Sequence, residues 1–499
     1  MIEVRKMQNY EELLEKLNAR IWDCAELKFE EYQSAEALKH VMEEHGFSVE
    51  SGLAGMETAF RATAGKGRPV IGLLAEYDAL SGLSQKAGQT KPVPREETEN
   101  GHGCGHCLLG TAAAGAALMA RDYLLETGRE GTIVLIGCPA EEGGSGKAYL
   151  ARAGVFDGLD AALTWHPAGG NAVLTGSLQA NCQAYFRFHG VSAHAAGAPH
   201  LGRSALDAVE LMDVGVNYMR EHMEPTDRIH YAITDTGGSS PNVVQNHAEV
   251  LYLIRSTDTE KVKKLYERVK NIARGAALMT ETKVEVVFDK ACSNILSNSV
   301  LEQLLYDCMK TVPLPSYTKG ELEYAEKIKE TITDADIASD MSLMMAQGAE
   351  KRKLISRYRE LPMADFVVEH RHQELFLPGS SDVGDCSHAA PTAQFVGACF
   401  VPGTPAHSWQ MTAQGKEKTA VKGMLYAAKV LSEACRRLFE EPELVKQVRK
   451  EFEETTEGKP YECPIPAEIL PNANGKRENA GLTADRKDIK QTDAGGDGR

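Results

Sequence analysis

No stretch of this chain is both apolar enough and long enough to span a bilayer. The longest weakly polar run, Leu108 to Ala120, is rich in Ala and Gly and falls well short of the ~20 apolar residues a span needs. Residues Met1 to Tyr10 alternate charge with isolated apolar positions and hold no signal-peptide core. No cluster of Lys and Arg stands out against a net charge of −16. Such an acidic surface repels phosphate backbones, which argues against a nucleic-acid partner. Cysteine forms no paired framework either. Eleven thiols, an odd number, are scattered from Cys24 to Cys463, the usage of a reduced, cytoplasmic protein.

Familiar nucleotide and nucleophile motifs are missing too, and there is no internal repeat. Gly143-Gly144-Ser145-Gly146-Lys147 has the look of a phosphate loop. However, Glu141 stands five residues before Gly146 where Gly is required, and Ala148 stands where Ser or Thr should follow. A G-x-S-x-G elbow is absent. What is present is a globular composition: 499 residues, 42% hydrophobic and 25% charged. That excludes a disordered chain, a collagen repeat and a small disulfide scaffold, and fits two to four domains.

Amphipathic helix patterns cover Tyr10 to Asp23 and Ser34 to His45. Three short apolar runs follow. Pro69 to Ala75 precedes Glu76-Tyr77-Asp78, Thr132 to Cys138 precedes Pro139-Ala140-Glu141-Glu142, and Ala161 to Trp165 precedes His166-Pro167. Short apolar runs with helices between them predict an α/β domain with a mostly parallel sheet buried on both faces. Sites in such sheets gather at the carboxyl ends of the strands. From Leu178 the pattern changes. Strands are expected at Gln183 to Phe188, Arg228 to Thr234, Ala248 to Arg255 and Lys283 to Phe288, with helices at Arg203 to Glu221 and Thr259 to Met279. This β-α-β-β-α-β order predicts an α+β domain with an antiparallel sheet, inserted into the first. The limits so drawn are 1–178 and 293–463 for the split domain and 179–292 for the insert. The tail, 464–499, is rich in Asn, Gly, Lys and Asp and is expected to be disordered. Within the second half, Lys319 to Glu374 reads as charged and irregular, Ala393 to Val401 as a core strand, and Lys416 to Phe439 as a long amphipathic helix.

The densest chemical signal is Gly101-His102-Gly103-Cys104-Gly105-His106-Cys107. Cys104 and Cys107 could form a redox pair, or Cys104 and His106 could be metal ligands on a loop entering a helix. The redox reading leaves the other polar strand ends unexplained, and no second C-x-x-C completes a zinc ribbon. Glu141-Glu142 follows a core strand, and adjacent carboxylates on a turn can diverge, one toward a metal and one toward water. A plain acidic helix start is the alternative. His166 and His407 lie at strand ends, and His194 lies in the inserted domain. His40, His45, His222 and His230 are read as ordinary histidines. Cys104, His106, Glu142, His166 and His407 together suffice for two metals sharing a bridge, which can polarise a carbonyl and activate water. Glu141 is then the general base.

Several longer motifs accompany these residues: Glu76-Tyr77-Asp78-Ala79-Leu80, Gly101 to His106, Glu141 to Lys147, Thr164-Trp165-His166-Pro167, Ala193-His194-Ala195, Pro199 to Asp207 and Ser381-Asp382-Val383-Gly384-Asp385. With them the chain resembles the M20 metallopeptidase/amidohydrolase family from about Tyr10 to Pro466. The resemblance implies a split catalytic α/β domain with a dinuclear zinc or manganese site, and an inserted lid and dimerisation domain. It makes Cys104 the bridging ligand and His106, Glu142, His166 and His407 the others, with Glu141 as base and Asp78 as the carboxylate that orients a ligand. It makes His194 the oxyanion donor, usually supplied across a dimer, and Asn242 and Arg255 the holders of the substrate's carboxylate. Glu76 departs from the family's usual His and is not assigned as a ligand. Cys107 replaces the expected Asn or Asp, and a Cys104–Cys107 disulfide under oxidation is the expectation for it. The implied reaction is cleavage of an acyl- or aroyl-amino-acid amide, with N-(4-aminobenzoyl)-glutamate the leading candidate. A dipeptidase, an N-acyl-amino-acid hydrolase, or a subunit needing a sister chain are the alternatives.

Overall fold

The apolar runs pair in a seven-stranded sheet in the computed structural model, which describes residues 2–471 apart from 342, 343, 345, 347 and 378. From one edge the strands are Ser48–Ser51, Phe60–Lys66, Gly131–Gly137, Val70–Ala75, Ala161–Ala168, Thr392–Ala398 and Ala172–Val173. The four from Gly131–Gly137 to Thr392–Ala398 run parallel, and the outer pairings are antiparallel. Crossover helices cover both faces, so the central strands carry apolar residues without alternation.

The Ala- and Gly-rich run that is too short for a membrane turns out to be the central helix, His106–Thr127. Every residue from His106 to Leu118 is buried, as expected for a helix apolar all round. It packs on the sheet and against the helix Lys418–Glu440, which also reaches the sheet at Ala161–Ala168 and Thr392–Ala398. Its small residues let backbones meet: a Cβ on Gly110 would stand 2.4 Å from the Glu76 carbonyl oxygen. Among the described residues, no helix is long and apolar enough to cross a membrane.

Residues 180–292 build a second, four-stranded antiparallel sheet in the order Lys283–Cys292, Ala180–His189, His247–Ser256, Arg228–Asp235. The helices Ala205–Met219 and Thr259–Thr280 pack on one face. Burial alternates along His247–Ser256, because only that face is covered.

Three expectations need correction. Lys319 to Glu374 is largely helical, with helices at Lys319–Lys329, Asp334–Asp340 and Gly348–Glu360. Thr318 with Glu321 and Thr333 with Asp336 close capping boxes. So few positions there are buried that charge on the remaining faces hides the helical period. The third apolar run continues through His166 to Ala168, which places His166 inside a strand. The first part of the expected tail is docked: Ile465 is buried, and Arg152 donates to the carbonyls of Pro466 (3.1 Å) and Ile469 (3.0 Å). The rest of that tail, from 472, lies outside the described residues.

Gly110→Ala should lower the unfolding free energy by about 1–3 kcal/mol through overpacking. Urea titration against the parent protein measures it.

Candidate metal centre

The chemically capable residues converge at the carboxyl edge of the parallel strands. Glu76 and Asp78 follow one strand, Glu141 and Glu142 the next, and His166 lies near the end of a third. Cys104 and His106 arrive on the turn that opens the central helix. Gly105 makes that turn possible: its φ is +80°, and a Cβ there would strike Pro167 at 2.8 Å. His407 comes from the loop after the last core strand, and its N–H donates to the Gly103 carbonyl (2.9 Å). Ala140, just before the paired glutamates, holds a φ of +62°.

Donor atoms of Cys104, His106 and His166 lie within 4.8 Å of one another, and so do those of Cys104, Glu142 and His407. Cys104 is common to both groups. A third group joins Glu76, His106 and Glu141. The ring orientations are set from behind. His106 Nδ1–H donates to Asp78 Oδ1 (2.8 Å), which turns Nε2 toward the cluster. His166 Nδ1–H donates to the Pro167 carbonyl (3.0 Å), leaving Nε2 to face Cys104 Sγ at 3.3 Å. Asp78 Oδ2 accepts from the Glu142 backbone N–H (2.9 Å). One carboxylate thus orients two of the clustered residues.

Crowding and burial shift the titration of these groups. Burial works against a charged His106, but Cys104 and Asp78 beside it raise its pKa well above the usual imidazole value. Burial and the charge of Glu142 push the Cys104 thiol up. Burial would raise Glu142 as well, but the adjacent His407 and the charge of His106 hold it at about 2. Glu141 is pushed up to about 8, by burial first and then by the charges of Glu76, Asp382 and Glu142. Two buried atoms within these groups, His106 Nε2 and Glu142 Oε1, have no hydrogen-bond partner. Their nearest ionic contacts are 3.4 Å away, to Glu76 and His407 respectively. Buried polar atoms without a hydrogen-bond partner, a shared sulfur and a mixed S/N/O donor set fit two divalent ions.

The remaining sequence candidates lie apart from these groups. His194 is exposed. Its Nδ1 accepts from Ala196 N–H (3.2 Å) and Gly197 N–H (3.1 Å), so Nε2 carries the proton. Asn242 lies alongside, its carbonyl accepting from Ala195 N–H (3.0 Å). Arg255 donates to Ser380 Oγ (2.7 Å), in the segment leading to Asp382. Both thiols of the expected Cys104–Cys107 disulfide are free. Cys107 is buried in the apolar core, and burial pushes its thiol up to about 12. Helical geometry points it into that core.

Sequence reasoning missed Lys147 and Asp382. Lys147 is fully buried, with Nζ 2.6 Å from both Glu76 Oε1 and Asp382 Oδ1. The local signal for it is the Gly-Gly-Ser-Gly-Lys run, whose spacing fails as a phosphate loop.

This edge of the sheet, with its paired donor groups and an adjacent carboxylate of raised pKa, defines a metal-dependent hydrolase. The chain belongs to Peptidase family M20/M25/M40, whose pattern matches residues 72–469. It is 47% identical over 454 residues to the B subunit of p-aminobenzoyl-glutamate hydrolase from Escherichia coli, covering 91% of this chain and 94% of that protein. It is 26% identical to the Xaa-Arg dipeptidase of Mus musculus, covering 91% and 92%. Among solved structures, a dinuclear metal-binding M20 peptidase of Bacillus subtilis shares the fold, with a TM-score of 0.51 at 17% identity over 86% of this chain and 99% of that one.

Asp78→Asn should weaken divalent-metal affinity about 10–100-fold, since it perturbs two of the clustered residues at once. Competition against a chromophoric chelator measures this.

Proposed function

We propose that this protein hydrolyses N-(4-aminobenzoyl)-glutamate to 4-aminobenzoate and glutamate. The observation that carries the chemistry is Glu141, a half-buried carboxylate of raised pKa beside two donor groups that share Cys104. The substrate follows from the likeness to the Escherichia coli hydrolase. Cys104, His106, Glu142, His166 and His407 would hold two divalent ions, zinc or manganese. Such ions, when bound, polarise a carbonyl and acidify water. Glu141 takes the proton from the attacking water and returns it to the leaving nitrogen. Asp78 keeps His106 and the Glu142 backbone in place. His194 offers Nε2–H to the developing oxyanion, and Arg255 with Asn242 takes the glutamate carboxylates.

His194 lies in the loop after the strand Ala180–His189 of the second sheet, whose outer strand Arg228–Asp235 is, among the described residues, an open edge with exposed Tyr231 and Ile233. The neighbouring helix exposes Leu211, Val214 and Tyr218. A bare edge beside an apolar stripe invites a second chain. Either a second copy or a sister subunit would bring His194 to the facing site. All eleven cysteines are free, which supports a reducing, cytoplasmic location.

Purified protein loaded with manganese or zinc should release 4-aminobenzoate, and a chelator should stop it. Glu141→Gln should lower kcat by about 10²–10⁴-fold with bound metal unchanged. Loss of metal in that variant would mark Glu141 as a ligand instead. If His194 acts across a dimer, mixing His194→Ala with Glu141→Gln protein should restore release that neither shows alone. Sedimentation reports whether the second chain is a copy.

A further inference from the structure

The turn that carries Glu141 and Glu142 begins at Ala140 in the left-handed region, φ +62°, a conformation that a residue with a Cβ does not hold unaided. What holds it comes from more than a hundred residues earlier. Glu31 Oε1 accepts from the Ala140 N–H (2.8 Å) and from the Phe29 N–H (2.9 Å). Its Oε2 accepts from Thr58 Oγ1 (3.0 Å), and the side chain is fully buried. Lys28 Nζ donates to the Gly143 carbonyl (2.9 Å) at the other end of the turn. The Phe29 ring covers Gly144 so closely that a Cβ there would stand 2.5 Å from it. Phe29, too, is left-handed, φ +61°.

We propose that the 28–31 loop is a clamp on the catalytic turn, with Glu31 and Lys28 as positioning residues for the hydrolytic step. The bond at Ala140 N sets the direction in which the two glutamates diverge, one toward the water and one toward the donor group. The bond at Gly143 O keeps the turn from unwinding. This rests on the roles proposed above for Glu141 and Glu142.

The test compares Glu31→Leu, Glu31→Gln, Lys28→Met and Glu141→Gln for kcat, KM, bound metal and melting temperature in the same release assay. The amide of Glu31→Gln would keep an oxygen for both backbone N–H groups, and the Thr58 hydroxyl can turn to accept from its NH₂. Glu31→Gln should therefore keep a kcat close to that of the parent. Glu31→Leu should lower kcat by about 100-fold with KM nearly unchanged, the cost of misplacing a catalytic group by an ångström. Lys28→Met should lower kcat by a few-fold without moving the melting temperature. The clamp is overturned if folded, metal-loaded Glu31→Leu turns over like the parent, or if Glu31→Gln is as impaired as Glu31→Leu. Should Glu31→Leu fail to fold, a parental kcat for Lys28→Met overturns it. An active Glu141→Gln would instead remove the catalytic reading of the turn, whatever the clamp variants do.

Discussion

The arrangement hangs on Asp78, a carboxylate with no exposure to water. Its two oxygens have separate tasks: Oδ1 fixes the His106 ring and Oδ2 holds the Glu142 backbone. A buried charge without partners is costly, so the native state keeps all of these elements in register or loses the site. The flanking residues tighten the same strand end. Tyr77 donates to the Thr58 carbonyl, and the Ala79 N–H donates to the Glu26 carbonyl. The strand end, the start of the central helix and the Glu141–Glu142 turn thereby behave as one unit.

Around this unit, charge is sorted by pairing. Lys147 lies between Glu76 and Asp382 with all three side chains buried. Such a triad adds little net stability compared with apolar packing. Its effect is selective: Glu76 is engaged by a cation of the protein itself, whereas Cys104 is left common to both donor groups. Asp382 comes from beyond the second sheet in the chain, so the same contact joins the two sequence halves of the catalytic unit. Asp385 nearby accepts from Ser293 Oγ and Tyr461 OH, extending that join to the docked C-terminal arm.

Much of this was legible locally. The apolar runs ending in Glu76-Tyr77-Asp78, Glu141-Glu142 and His166 locate a sheet and its active edge, because strand ends and apolar runs are short-range patterns. The glycines around Cys104 mark a tight turn for a similar reason. Lys319–Lys329 and Asp334–Asp340 were hidden, because so little of each is buried that an apolar period scarcely forms. Their capping boxes were the available signal. The C-x-x-C spacing did not say which way each thiol faces on a helix, and Cys107 is found in the apolar core.

The sequence by itself determined the kinds of donor at the sheet edge, the family, and the order of the central parallel strands and of the inserted domain's elements, which rest on short-range patterns. Tertiary structure alone decided that Cys104 belongs to two donor groups, that Lys147 pairs with both Glu76 and Asp382, and that Glu31 holds Ala140 in a left-handed turn. Those facts are distances between residues far apart in the chain, and only the packing of strand ends, turns and helices from separate parts of the sequence brings them within reach of one another.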